Sequence, residues 1–138
     1  MATVPLGTKR ASDTQLRGRT ILIVEDEPIV ALHLYASLQE VGAGLIAATS
    51  AEEALRLIRR NDISAAILDV RLGSQDCIPV CQVLSNRRIP FAFHTGHAVA
   101  EIFEKWPQAP VFLKPTPVET LLSGIAALVS VTNGAERP

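Results

Sequence analysis

The stretch Ile63–Leu72, ISAAILDVRL, decides how the rest of the chain reads. A mostly apolar run, tolerant of β structure, leads into one acid, Asp69. A buried strand that ends on a carboxylate places it at the rim of a sheet. In open α/β sheets ligands bind at that rim, outside the carboxyl ends of the strands. Asp69 is therefore the candidate reactive group, and the remaining segments are read for what they place around it.

Before this stretch, Thr20–Val24 (TILIV) is a short continuous apolar run, as expected of a first buried strand. It ends on Glu25, Asp26 and Glu27. Pro28 then suits the first turn of a helix that runs to Val41 and stops at Gly42. Leu45–Thr49 predicts a second strand. Ser50 and Glu53 form a capping box for a helix ending at Arg60. After the third strand, 63–69, the spacing predicts a helix over 76–87, a strand over 89–95 and a short helix over 97–106. Trp106 is expected to be partly exposed. Val111–Lys114 predicts a fifth strand, and Thr116, Pro117 and Glu119 open a last helix that ends near residue 131. The domain is expected over 19–131, between a loose tail at 1–18 and another at 132–138. Strands alternating with helices predict an α/β fold: a flavodoxin-like, doubly wound, five-stranded parallel sheet of order 2-1-3-4-5 with five helices.

Composition fits this. The 138 residues are 48% hydrophobic but only 4% aromatic, so the core must be aliphatic, as in parallel strands covered on both faces. A net charge of −1 gives no electrostatic reason for a nucleic-acid or membrane partner. No apolar run reaches the roughly 18 residues of a membrane span, and the N-terminus has no apolar signal core. Cys77 and Cys81 read as reduced core residues, and a cytoplasmic location is expected. The basic cluster Arg56, Arg59, Arg60 reads as a solvated helix face.

In a parallel sheet the carboxyl ends share one edge. Glu25, Asp26, Asp69, Thr95 and Lys114 each end or follow a predicted strand, so they should converge although far apart in sequence. Acids gathered in one cleft repel and need a cation. A hard divalent ion such as Mg2+ suits oxygen ligands. Carboxylates, Mg2+, lysine and hydroxyl together suit a transferring phosphoryl group.

The segments LIVEDEP (22–28), LDVRL (68–72), HTGH (94–97) and FLKP (112–115), in this order at strand ends, resemble a response-regulator receiver domain of two-component signalling. The resemblance implies Asp69 as phosphoacceptor, with Lys114 and Thr95 on the phosphoryl oxygens. It implies Mg2+ held by Glu25, Asp26, Asp69 and the Arg71 backbone carbonyl, and a cis Lys114–Pro115 peptide. The implied function is that of a single-domain response regulator, a phosphoacceptor and not an enzyme. It would be charged by a sensor histidine kinase or phosphotransfer protein and would act on a further protein or as a phosphate sink. PFAFHTGH (90–97) is similar to the FAT GUY subgroup, which implies a kinase of HWE/HisKA2 type. A homodimer through the 97–131 face is compatible with it. Two departures stand out. Val111 occupies the position of the usual aromatic switch, and Gly73-Ser74-Gln75-Asp76 replaces the usual Pro-Gly turn. The rival readings are a phosphorylation-independent pseudo-receiver, which Val111 favours, and a Mg2+-dependent phosphohydrolase. The hydrolase would want an acid where Arg71 stands. Arg71 and His97, two residues after Asp69 and Thr95, are expected to flank the phosphoryl group. His94 should face away from it.

Overall fold

The computed structural model describes residues 15–136. In chain order the elements are β1 (Thr20–Val24), α1 (Pro28–Glu40), β2 (Gly44–Ala48), α2 (Ala51–Arg60), β3 (Ala65–Leu68), β4 (Arg71–Leu72), β5 (Gln75–Asp76), α3 (Ile78–Asn86), β6 (Phe91–Thr95), α4 (Ala100–Lys105), β7 (Val111–Leu113) and α5 (Val118–Glu136). The main sheet is parallel and ordered β2-β1-β3-β6-β7. Counting only its strands, this is the expected 2-1-3-4-5 arrangement with five helices.

Alternation along the strands divides the core. Leu22, Val24, Ala66, Leu68, Phe91 and Phe93 pack under α2, α3 and α4. Ile21, Ile23, Ala65 and Ile67 pack under α1 and α5. Both faces are covered, so the strands need no polar side. Leu16 is buried in the second cluster, and the Gly18 amide donates to the Gly42 carbonyl at 2.9 Å. The packed body therefore begins before residue 19. Residues 1–14 of the expected N-terminal tail, and 137–138, lie outside the described residues.

Several expected boundaries shift. β3 ends at Leu68 and β7 at Leu113, so Asp69 and Lys114 each sit one residue beyond a strand. α3 begins at Ile78 because the Asp76 carboxylate accepts from the Ile78 amide at 3.0 Å, which sets Pro79 in the first turn. α4 is shorter than 97–106, and α5 extends past 131 to Glu136. The Ser50 hydroxyl caps the Glu53 amide at 3.1 Å, but the Glu53 carboxylate returns to the Thr49 amide at 2.8 Å, not to that of Ser50. Trp106 is buried, its ring edge-on to Phe91 at 6.3 Å, because Phe91 fills the floor beneath the short helix. Cys77 and Cys81 are free, fully buried thiols with their sulfurs 3.7 Å apart. The hydrogen bond to Cys77, together with burial, raises the Cys81 pKa.

The hairpin β4–β5 was not foreseen. Arg71 pairs with Asp76 and Leu72 with Gln75 across a Gly73-Ser74 turn. Gly73 has φ +67°, which a two-residue hairpin turn requires and glycine adopts without a Cβ clash. The hairpin stands beside Asp69 and supplies one wall of the candidate site.

Candidate functional site

The carboxyl ends of β1, β3, β6 and β7 deliver Glu25, Asp69, Thr95 and Lys114 to one place. Lys114 is the hub. Its Nζ lies 2.8 and 3.0 Å from the two Glu25 oxygens, 2.9 Å from Asp69 Oδ2 and 3.3 Å from Glu27 Oε1. Lys114 follows directly on β7, and its backbone N–H donates a hydrogen bond to the Thr95 carbonyl at 2.9 Å. The Lys114–Pro115 peptide is cis, as the resemblance implied.

Asp69 is almost wholly buried, and burial alone would raise its pKa. The Lys114 ammonium, the Thr95 hydroxyl and the Arg71 amide outweigh that and hold it below the usual carboxylate range. The Arg71 N–H lies 3.4 Å from Asp69 Oδ1. Glu25 moves the other way. Burial, with the neighbouring Asp69 charge, raises its pKa despite Lys114. Asp69 is therefore the more readily ionised of the two, which suits a nucleophilic carboxylate. Thr95 is fully buried, and its Oγ1 accepts from the His97 amide at 3.1 Å.

The mouth above these groups is a cleft of ≈380 Å³ lined by Asp26, Glu27, Asp69, Arg71, Gly96 and Lys114, among others. Gly73 and His97 also border it. Arg71 and His97 thus stand at the rim where they were expected. Asp26 is exposed, and its Oδ2 accepts from the Gly73 amide at 3.1 Å, tying the hairpin to the cleft. Glu25, Asp26 and Glu27 each offer a carboxylate oxygen within 4.8 Å of one another. This all-oxygen set fits a hard divalent cation. Glu27 and Gly73 are site residues that sequence reasoning passed over. Glu27 stood in the acidic run but had no strand-end argument. Gly73 enters through its backbone amide, which residue type does not reveal.

His94 faces the opposite side of β6 from the cleft, as strand alternation requires. It is buried, and neither ring nitrogen has a hydrogen-bond partner. Together with Val30, His33, Leu34, Pro115 and Leu121 it lines a second cavity, of ≈270 Å³, between α1 and α5. Burial, reinforced by the Lys114 charge, lowers its pKa below the usual imidazole value of 6.5. The unfolded chain then binds a proton at higher pH than the folded one, so stability rises with pH. His94 contributes a stability loss that sets in as pH falls below about 6.5 and grows toward its lowered pKa. His94→Leu removes an unpaired buried polar group at similar volume. It is expected to raise unfolding free energy by about 1 kcal/mol near neutral pH. The gain should widen in acid, as read by urea unfolding across that pH range.

A doubly wound α/β domain with acids, a lysine and a hydroxyl gathered at one sheet edge defines the class. The response regulator receiver domain family model matches residues 21–124, and the chain belongs to that family. Among curated proteins it is 32% identical over 87 residues to the alkaline phosphatase synthesis transcriptional regulatory protein PhoP of Bacillus subtilis. That match covers 63% of this chain and 36% of PhoP, so the chain spans about a third of this relative's length. Among solved structures, it superposes on a CheY-like response regulator receiver domain protein from Methanospirillum hungatei with TM-score 0.77 and 22% identity, covering 85% of this chain and 98% of that one. A response regulator receiver protein from Sinorhizobium medicae gives 0.74 and 23%, covering 83% and 96%. At these identities the structures speak for the fold alone. Among the described residues no helix is long and apolar enough to cross a membrane.

Proposed function

We propose that this chain takes a phosphoryl group from the phosphohistidine of a sensor kinase or phosphotransfer protein onto Asp69. It would then signal through protein–protein contact or act as a phosphate sink. The observation that carries this is the Lys114 ammonium 2.9 Å from a buried Asp69 at the floor of an open cleft. An Asp69 oxygen attacks phosphorus, the P–N bond breaks, and the imidazole leaves with the electron pair and takes up a proton. The product is an acyl phosphate. Lys114 and Thr95 stabilise the charge on the phosphoryl oxygens. Glu25, Asp26, Asp69 and the Arg71 carbonyl would hold Mg2+, whose chemistry is to neutralise that charge. The modification is stoichiometric and not a turnover reaction. The HWE/HisKA2 kinase class remains part of the proposal on the strength of PFAFHTGH alone.

Val111 and Leu113 are 40% and 56% exposed on the edge strand β7. Phosphorylation is proposed to bias the α4–β7–α5 face that carries them. The bias is expected to be on the order of 1–3 kcal/mol, typical of coupled sites. Val111 cannot swing between buried and exposed positions as an aromatic ring does. The test is incubation with a phosphoramidate and Mg2+, with and without a chelator. One phosphoryl adduct on Asp69, lost with the chelator, supports this reading. No adduct would favour a pseudo-receiver, and continuous phosphate release a hydrolase.

Arg71 and His97 line the cleft that opens onto Asp69, through which water would reach an acyl phosphate there. The double variant Arg71→Ala/His97→Ala is expected to shorten the phosphoryl half-life by about tenfold, equivalent to about 1.4 kcal/mol of barrier. An unchanged half-life in a phosphate-release assay would mean that both side chains are merely solvated.

A further inference from the structure

We infer that the edge of the molecule opposite Asp69 is a docking site for an acidic peptide segment of a partner protein that carries one apolar anchor. α2 presents Arg56, Arg59 and Arg60 at i, i+3 and i+4, so they share a face, and all are exposed. The structure adds two more arginines. The Arg87 guanidinium donates to the Ile58 carbonyl at 3.0 Å, which fastens the end of α3 to the last turn of α2, and Arg88 follows it. The Arg87 bond thus brings the arginine-bearing carboxyl ends of α2 and α3 together on one edge.

Among the described residues none of these arginines forms an ion pair, and every ion pair belongs to Lys114. Glu52, one turn before Arg56, and Asp62, just past α2, make no ion pair with them. Cations at a helix end favour the macrodipole, which accounts for Arg59 and Arg60. It does not account for Arg56 or Arg88. Arg88 takes φ +59° where α3 ends, a conformation that glycine adopts more cheaply. Arg88 there borders a cavity of ≈240 Å³ whose wall is mainly apolar, Ile89, Pro90, Phe91, Ala109 and Leu128, with Ser85 and Gln108 beside them. An apolar side chain fits such a wall, next to forks that pair bidentately with carboxylates.

Charge elsewhere selects the partner. The chain has 13 basic and 14 acidic residues. Setting these five arginines aside leaves 8 against 14, a balance of −6 for the rest of the molecule. A long polyanion or an anionic membrane would meet that repulsion, whereas a short acidic segment can lie on that edge alone.

The test uses the full chain and a labelled synthetic peptide of Glu and Asp around a central Leu, read by fluorescence anisotropy. Saturable binding is expected, falling steeply as salt rises. It should weaken at least about tenfold in Arg56→Gln/Arg59→Gln/Arg60→Gln and fall again when the peptide Leu becomes Ala. Arg88→Gln, a single exposed change, should weaken it as well and guards against misfolding of the triple variant. The inference is overturned if the peptide does not bind, or if the arginine variants bind it as the wild type does. It is also overturned if duplex DNA or phosphatidylserine vesicles bind more tightly than the peptide. Phosphoryl uptake at Asp69 should be the same in all variants, so this outcome is independent of the phosphoacceptor proposal.

Discussion

Asp69→Asn is expected to leave the protein folded and unable to acquire a phosphoryl group from a phosphoramidate or a kinase. The amide has no anionic oxygen to attack phosphorus, and among the described residues no other buried carboxylate lines the cleft. Glu25 is buried at 3% exposure and clamped by Lys114 through both oxygens, while Asp26 and Glu27 are exposed. Loss of uptake should therefore be complete and not partial, read by intact mass after incubation with Mg2+. The fold should survive because Lys114 retains Glu25 and Glu27 as partners. Removing the Asp69 charge also takes away one of the causes that raise Glu25, so its pKa should fall in the variant. An adduct that persists at full stoichiometry in Asp69→Asn would place the phosphoacceptor elsewhere and end the proposal.

How much of this was visible in the residues follows from what the signals were. Apolar runs of strand length alternating with helical periodicity are a property of the buried core, and they led to the right sheet order. The rule that parallel strands share a carboxyl edge was enough to bring Glu25, Asp69, Thr95 and Lys114 together. Features set by backbone geometry were hidden. The hairpin at 71–76 has only two-residue strands, too short for any alternation to register. Its Gly73 looked like a turn residue, yet its amide is what holds Asp26. The exposure of Trp106 was misjudged because the ring that covers it, Phe91, belongs to a strand 15 residues earlier in the chain. His94 could be assigned to a face by counting along β6, but that it lacks any partner depends on which side chains α1 and α5 turn inward. The arginine-bearing edge was half legible. Arg56, Arg59 and Arg60 showed their shared face, and Arg87 joined them only through the Ile58 carbonyl.

Lys114→Met tests the electrostatic frame of the site. Among the described residues the ammonium is the one side-chain cation bonded to Asp69 and Glu25, so its loss leaves two buried carboxylates facing each other. Breaking a fully buried pair costs about 3–5 kcal/mol. The cleft is open to water, so about 2–3 kcal/mol is expected at neutral pH. The Asp69 contribution to the pH dependence should reverse sign. In the wild type Asp69 titrates below its unfolded value, so its contribution is present above about pH 4 and is lost as pH falls through the lowered pKa. Without Lys114, burial becomes the dominant influence on Asp69, and burial with like charge on Glu25, so both should titrate above their unfolded values. At these two groups the folded variant then binds protons more readily than the unfolded chain, and their contribution to stability should increase as pH is lowered from neutral toward about 4. Phosphoryl uptake should slow by about 10²–10³-fold, the usual consequence of removing one preorganised electrostatic contact to the transition state. Denaturant unfolding at several pH values and the rate of adduct formation read the two effects separately. A variant with wild-type stability and an unchanged pH slope would show that Lys114 is not what compensates the acids. A variant with wild-type uptake would show that it does not contact the transferring group.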